Sequence, residues 1–129
     1  MKKLKLENLK GFDGKPLKEG DKVIGLKDVL MAYLRNAHAM GLTDKEQTTA
    51  YGLGFLIAQA KESVELPNDE YDVLKKLCDN GKVKAPNGQE QQLFGVIYKE
   101  QVRQMVNDAQ PIKEERWVSS SSRMIKSNN

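Results

Sequence analysis

Between Leu26 and Ala109 the apolar residues return at intervals of three and four, and that rhythm commits most of the chain to amphipathic helices. Leu26, Val29, Leu30, Tyr33, Leu34, Ala37 and Met40 predict a first helix over about 26–40, with Gly41 placed to end it. A second helix opens at Thr43-Asp44-Lys45-Glu46, an N-cap threonine with a glutamate three positions on, and should run to about Ser63. Its later half, Gly52 to Ala60, is apolar on nearly every face, which predicts a central helix. Gly52 and Gly54 each cost about 1 kcal/mol of helix propensity relative to alanine, so close approach of another backbone is the expected reason for both.

A third helix starts after Pro67, with Asn68 as cap and acids in its first turn, turns Tyr71, Leu74, Leu77 and Cys78 inward, and ends at Asn80-Gly81. Asn87, with Glu90 three residues on, is expected to open a fourth helix. Its stripe is Phe94, Tyr98, Val102, Met105, Val106 and Ala109, widened by Leu93, Val96 and Ile97, and Pro111 stops it. The segments between are short: Val64-Glu65-Leu66 reads as an extended linker, and 82–88 as a loop with a short strand at Val83.

The first 25 residues differ. Leu4-Lys5-Leu6 alternates at period two, Asp13-Gly14 supplies a turn, Pro16 demotes its stretch to an edge, and Glu19-Gly20-Asp21 turns the chain again before Val23-Ile24. The fold class that follows is α+β, mostly helical: a small N-terminal β-hairpin or meander, four helices and a C-terminal tail. At 129 residues the chain holds one domain, expected over 1–109 as a β element (1–25) and a helical body (26–109). Residues 110–129, with a four-serine run at 119–122, read as a disordered polar tail.

Charge narrows the function classes. The net charge is +3, with eight lysines against five acids over 2–28, nine basic against eleven acidic groups over 29–108, and four against two over 109–129. The body is near neutral, without the concentrated basic stripe of a nucleic-acid binder. Lys2, Lys3, Lys5 and Lys10 read instead as the solvated face of an edge strand. No apolar run approaches the roughly 18 residues of a membrane span, and the start Met1-Lys2-Lys3-Leu4-Lys5 has no apolar stretch of a secretory leader behind it, so the cytoplasm is the expected compartment.

Catalytic constellations are missing from the sequence. Gly52-Leu53-Gly54 lacks the third glycine of a nucleotide-binding turn and falls inside a helix. His38 stands alone, Cys78 reads as a small core hydrophobe, and one histidine with one cysteine makes no conventional zinc site. The acids at Asp69, Glu70 and Asp72 lack the spacing of a calcium loop, and Glu62 with Glu65 are candidates to pair with lysines of the β element. No enzyme and no cofactor is expected. One residue stands out: Trp117, the only tryptophan, in Glu114-Glu115-Arg116-Trp117-Val118. Tryptophan is enriched at binding hot spots, so Trp117 with Arg116 and Val118 forms a candidate partner-binding anchor; the alternative is that Ile112, Trp117 and Val118 fold back and close the core.

Several segments together resemble a known group. Leu42-Thr43-Asp44-Lys45-Glu46, Tyr51-Gly52-Leu53-Gly54, Val64-Glu65-Leu66, Asp69-Glu70-Tyr71 with Val73-Leu74-Lys75-Lys76, Phe94-Gly95-Val96-Ile97 with Gln101-Val102, and the turn from Gly14 to Asp21 are similar to segments of small proteins encoded by tailed bacteriophages. The resemblance spans 1–108. It implies a phage origin, hence a host cytoplasm, and a small non-enzymatic accessory protein, and it carries over no site residues. The expected function is a protein–protein interaction module that binds a host protein or assists particle assembly. A tail-assembly chaperone or minor structural protein is the alternative, and a homo-oligomer fits it. A DNA-binding regulator comes third, its candidate recognition residues being Gln89, Gln91, Gln92, Gln101, Arg103 and Gln104. The partner expected is a protein, without membrane or nucleic acid.

Overall fold

Two of the helices begin where a side chain of the first turn takes a backbone N–H of the cap residue. In the computed structural model, which describes residues 1–112, Asp28 Oδ2 accepts from the Gly25 N–H at 2.9 Å and opens α1 (Leu26–Arg35). Thr43 Oγ1 accepts from the Glu46 N–H while Glu46 Oε1 accepts from the Thr43 N–H, the reciprocal box at the head of α2 (Asp44–Gln59). Pro67 precedes α3 (Asn68–Asn80), and Gly81, at φ 64°, ends it in the left-handed conformation that glycine adopts without strain. Gly95 precedes α4 (Val96–Asn107). Seven short strands complete the described residues: β1 (Lys2–Lys5), β2 (Lys18–Glu19), β3 (Lys22–Val23), β4 (Ser63–Leu66), β5 (Lys82–Lys84), β6 (Glu90–Gln92) and β7 (Gln110–Pro111). The fold is α+β and mostly helical, with strand structure ahead of four helices, as the sequence predicts.

The boundaries depart from expectation in places that have local causes. α1 stops at Arg35, because the Asn36 side chain donates to the Ala32 carbonyl at 2.8 Å and competes with the helix ladder; Ala37–Ala39 then form a single 3₁₀ turn that keeps Ala37 and Met40 buried. α2 stops at Gln59, where Lys27 Nζ reaches across from α1 to the carbonyls of Ala58 (2.9 Å) and Ala60 (2.7 Å), satisfying acceptors at the helix's negative end. The fourth helix starts later than Asn87. Asn87 and Gly88, the latter at φ 88°, turn the β5–β6 hairpin, with Asn87 Oδ1 accepting from the Gln89 N–H at 3.0 Å.

The largest revision concerns β1. It is the centre of a three-stranded antiparallel sheet in the order β4-β1-β7 rather than an edge strand paired to its own hairpin. The register sets Leu4 opposite Val64 and Lys3 opposite Glu65. Leu4, Val64 and Leu66 are buried, so two alternating runs bury more by pairing with each other than either could beside the polar turns of 11–22. Val64-Glu65-Leu66 is therefore a strand, not a linker. Gln110 and Pro111 belong to the folded body as β7, which carries it past 109; Pro111 sits on the outer strand, where its missing N–H disrupts no ladder.

Residues 7–25 lie over the helices as a loop fastened by backbone hydrogen bonds, Leu9 N–H to Ile24 O, Leu17 N–H to Leu9 O and, from the start of α1, Leu26 N–H to Glu7 O, with β2 and β3 as its hairpin. Gln101 of α4 ties this loop down. Its side-chain amide donates to and accepts from the Lys10 backbone, both at 2.8 Å. The core beneath gathers Leu9, Leu26, Leu30, Tyr33, Leu53, Ile57, Leu74, Leu77, Cys78, Val102 and Val106; each such side chain removed from water stabilises the fold by about 1.5–3 kcal/mol before entropy is counted. Tyr71 links α3 to α4 through its hydroxyl, which donates to the Val106 carbonyl at 2.8 Å.

Candidate interaction surface

α2 lies between α1 and α3 and buries Ala50, Leu53 and Ile57 against them. Its other arc faces outward, so the helix expected to be central is covered by its neighbours on one side only. Tyr51 is 72% exposed, Phe55 53% and Leu56 39%, with Gly52 and Ala58 exposed among them. Exposed single hydrophobes are ordinary; a contiguous group on one helix face is not. Tyr51 and Phe55, four residues apart, stack edge-to-face with centroids 5.0 Å apart and planes at 84°.

The glycines sharpen the point. A Cβ built on Gly52 or on Gly54 meets nothing within 4 Å, and neither has a positive φ. No backbone of the described residues approaches them, so packing within the described chain explains neither. Beside them runs a groove of about 280 Å³, lined by Met31, Leu34 and Arg35 of α1 and by Ala50, Tyr51, Gly54, Phe55 and Ala58 of α2. From Gln47 to Ala60 the sequence contains no charged residue at all, in a protein that is 30% charged. The charges of α2 gather at its ends: Asp44, Lys45 and Glu46 at the start, Lys61 and Glu62 just beyond the finish. Glu46 is engaged within the fold. Its carboxylate takes a hydrogen bond from Lys76 Nζ at 2.8 Å and another from the Thr43 N–H, which together hold its pKa below the usual range.

A second exposed apolar group lies elsewhere. Phe12, 93% exposed at the tip of its turn, shares a shallow groove with Val96, 68% exposed, and Ile97. Lys10, Glu100, Gln101 and Gln104 ring it, so polar side chains break this surface where the α2 face is continuous.

The candidates read from sequence fall as follows. Arg116, Trp117 and Val118 lie outside the described residues, as does everything after Ile112. Cys78 is fully buried, and burial pushes its thiol pKa well above the ordinary range, consistent with a core hydrophobe. His38 is exposed on the 3₁₀ turn. Glu65 faces Lys3 across the sheet register. Asn68, expected as the cap of α3, is instead its first residue, and its Oδ1 accepts from the amino terminus of Met1 at 3.0 Å. No group of three or more His, Cys, Asp or Glu side chains able to hold a metal exists among the described residues, and none of their helices is long and apolar enough to cross a membrane.

The glutamines proposed for a recognition helix do not assemble into one. Gln89, Gln91 and Gln92 lie in or beside β6, Gln101 is occupied by Lys10, and Arg103 is held by Glu100 at 2.9 Å, leaving Gln104 alone on α4. The α2 face, by contrast, escapes a sequence reading because a helix apolar all round looks the same whether its second face is covered by the chain or left open. The available signal was the pair of glycines beside two aromatics. No family model, curated protein or solved structure matches this chain in comparison.

Proposed function

We propose that this protein is a non-enzymatic protein–protein interaction module whose docking surface is the outward face of α2. One observation carries the reading: a helix of a 30%-charged protein presents Tyr51, Phe55 and Leu56 to solvent along a stretch without charge. Leaving such a face open forgoes its burial, about 25 cal/mol for each Å² of apolar surface, and an interface core has this composition: aromatic, depleted of charge, framed by polar residues. The resemblance of residues 1–108 to small tailed-phage proteins supports a phage-encoded accessory protein that binds a host protein or takes part in assembly. Trp117, with Arg116 and Val118, is a second proposed anchor, supported by its residue types alone.

The test pairs the full chain with its Tyr51→Ser/Phe55→Ser variant. Both residues are exposed, so the melting transition should hold, while association with protein, whether the chain's own or a lysate component retained stoichiometrically, should fall at least about tenfold. An unchanged association profile overturns the assignment of the surface. A third bait ending at residue 112 separates the contribution of Arg116, Trp117 and Val118 from that of α2.

A further inference from the structure

We infer that the occupant of the outward α2 face is a second copy of this chain, packed with its α2 antiparallel to the first across a two-fold axis. The inference rests on reading that face as an interaction surface and names its partner. Tyr51, Gly54, Phe55 and Ala58 follow one another at intervals of three, one and three, which sets them in one stripe along the helix. The stripe reads aromatic, glycine, aromatic, alanine. Reversed, it reads alanine, aromatic, glycine, aromatic, so an antiparallel copy sets Tyr51 over Ala58 and Phe55 over Gly54, and both again on the other side of the axis. A two-fold contact requires a surface to be complementary to itself in this way.

Charge agrees with shape. Any charge at a two-fold axis faces its own image, and the segment Gln47–Ala60 has none to repel. In this pairing the two α2 helices overlap over residues 50–59, which carry no charge, and the charged residues of each copy, Asp44 and Lys45 before the segment and Lys61 and Glu62 after it, lie outside the overlap. Helix macrodipoles also favour the antiparallel sense. Gly54 then has a use that the monomer does not give it: the space where its Cβ would stand is open within the chain and receives Phe55 of the second copy. A contact centred on one helix and its groove is smaller than the roughly 800 Å² per partner of a standard interface, so a dissociation constant in the micromolar range is expected.

Sedimentation velocity on the full chain from about 1 to 500 μM tests this. The weight-average mass should climb from the monomer's 14.5 kDa toward twice that, and Phe55→Glu, at an exposed position, should weaken association at least about tenfold with the melting transition unchanged. Tyr51→Cys and Ala58→Cys chains, mixed under oxidising conditions, should form a disulfide between unlike chains much faster than either variant does alone; the native Cys78 is buried and does not compete. Cross-linking of each variant with itself overturns the antiparallel arrangement. A wild-type monomer throughout overturns the second copy: if Tyr51→Ser/Phe55→Ser then still abolishes capture of another protein, the interaction surface stands with a foreign occupant, and if it does not, both readings fall.

Discussion

Tyr33 shows how residue type and residue environment separate. Its place in the core is legible from the spacing with Leu26, Val29 and Leu30, and the ring is fully buried, edge-to-face against Phe94 at 5.4 Å. Its hydroxyl, however, has no hydrogen-bond partner among the described residues. That was not legible, because it depends on what a different element, the segment leading into α4, brings opposite the phenol. A buried hydroxyl left unpaired costs about 1–3 kcal/mol, and removing it together with its need is neutral or favourable. Tyr33→Phe is therefore expected to stabilise the protein by about 1 kcal/mol, read as a rise of a few degrees in Tm.

The same residue gives a pH signature. Burial, with smaller contributions from Cys78 and Glu100, raises the Tyr33 pKa from 10.0 to about 12. The folded state thus holds the proton that the unfolded state gives up, so this residue's contribution is intact below pH 10 and is lost as pH rises through about 12. The stability gap between Tyr33→Phe and wild type should widen over that window in chemical denaturation. A gap that narrows or reverses there would contradict the assignment.

At the scale of elements, the caps carried most of the information. Thr43 with Glu46 starts α2 where the sequence says, because both halves of the box lie within four residues and need nothing distant. Asn87 with Glu90 imitates the same signature but belongs to a hairpin turn, since Gly88 at φ 88° closes β5 onto β6 before a helix can begin. Local chemistry cannot tell a cap from a turn when asparagine serves both. The α2 glycines give a sharper distinction. With open space at both Cβ positions and ordinary helical geometry, Gly52→Ala and Gly54→Ala should each stabilise the monomer by up to about 1 kcal/mol in urea denaturation at low concentration. Gly81→Ala should instead destabilise by about 1 kcal/mol, because its φ is 64°, a left-handed conformation that alanine adopts only with strain. Equal effects at the three sites would mean that α2's outward face is not open in solution.

For the whole molecule, the element that organises the fold is β1, whose alternation the sequence shows and whose partners it does not. β1 draws its partners from 63–66 and from 110–111, so the two ends of the described chain meet: the Met1 amino group on Asn68, the Ile112 N–H on the Met1 carbonyl at 2.9 Å, and Lys2 Nζ 5.4 Å from the Tyr71 ring centre. A two-residue strand has no periodicity to detect, and pairing across that much sequence depends on helices already packed beneath it. The helical body was therefore legible and its closure was not. If β7 completes the sheet, a chain ending at 112 and a chain ending at 109 differ by the pairing of Lys2 with Pro111 and of Lys3 with Gln110. A few partly exposed backbone hydrogen bonds contribute about 1–2 kcal/mol together. The 1–109 chain should then melt several degrees lower than 1–112, and amide exchange in β1 should quicken at Lys2 and Lys3 while the α2 amides keep their protection. Loss of protection in α2 as well would mean that β7 supports the whole helical body, and equal melting of the two chains would mean that the sheet is complete with β4 and β1 alone.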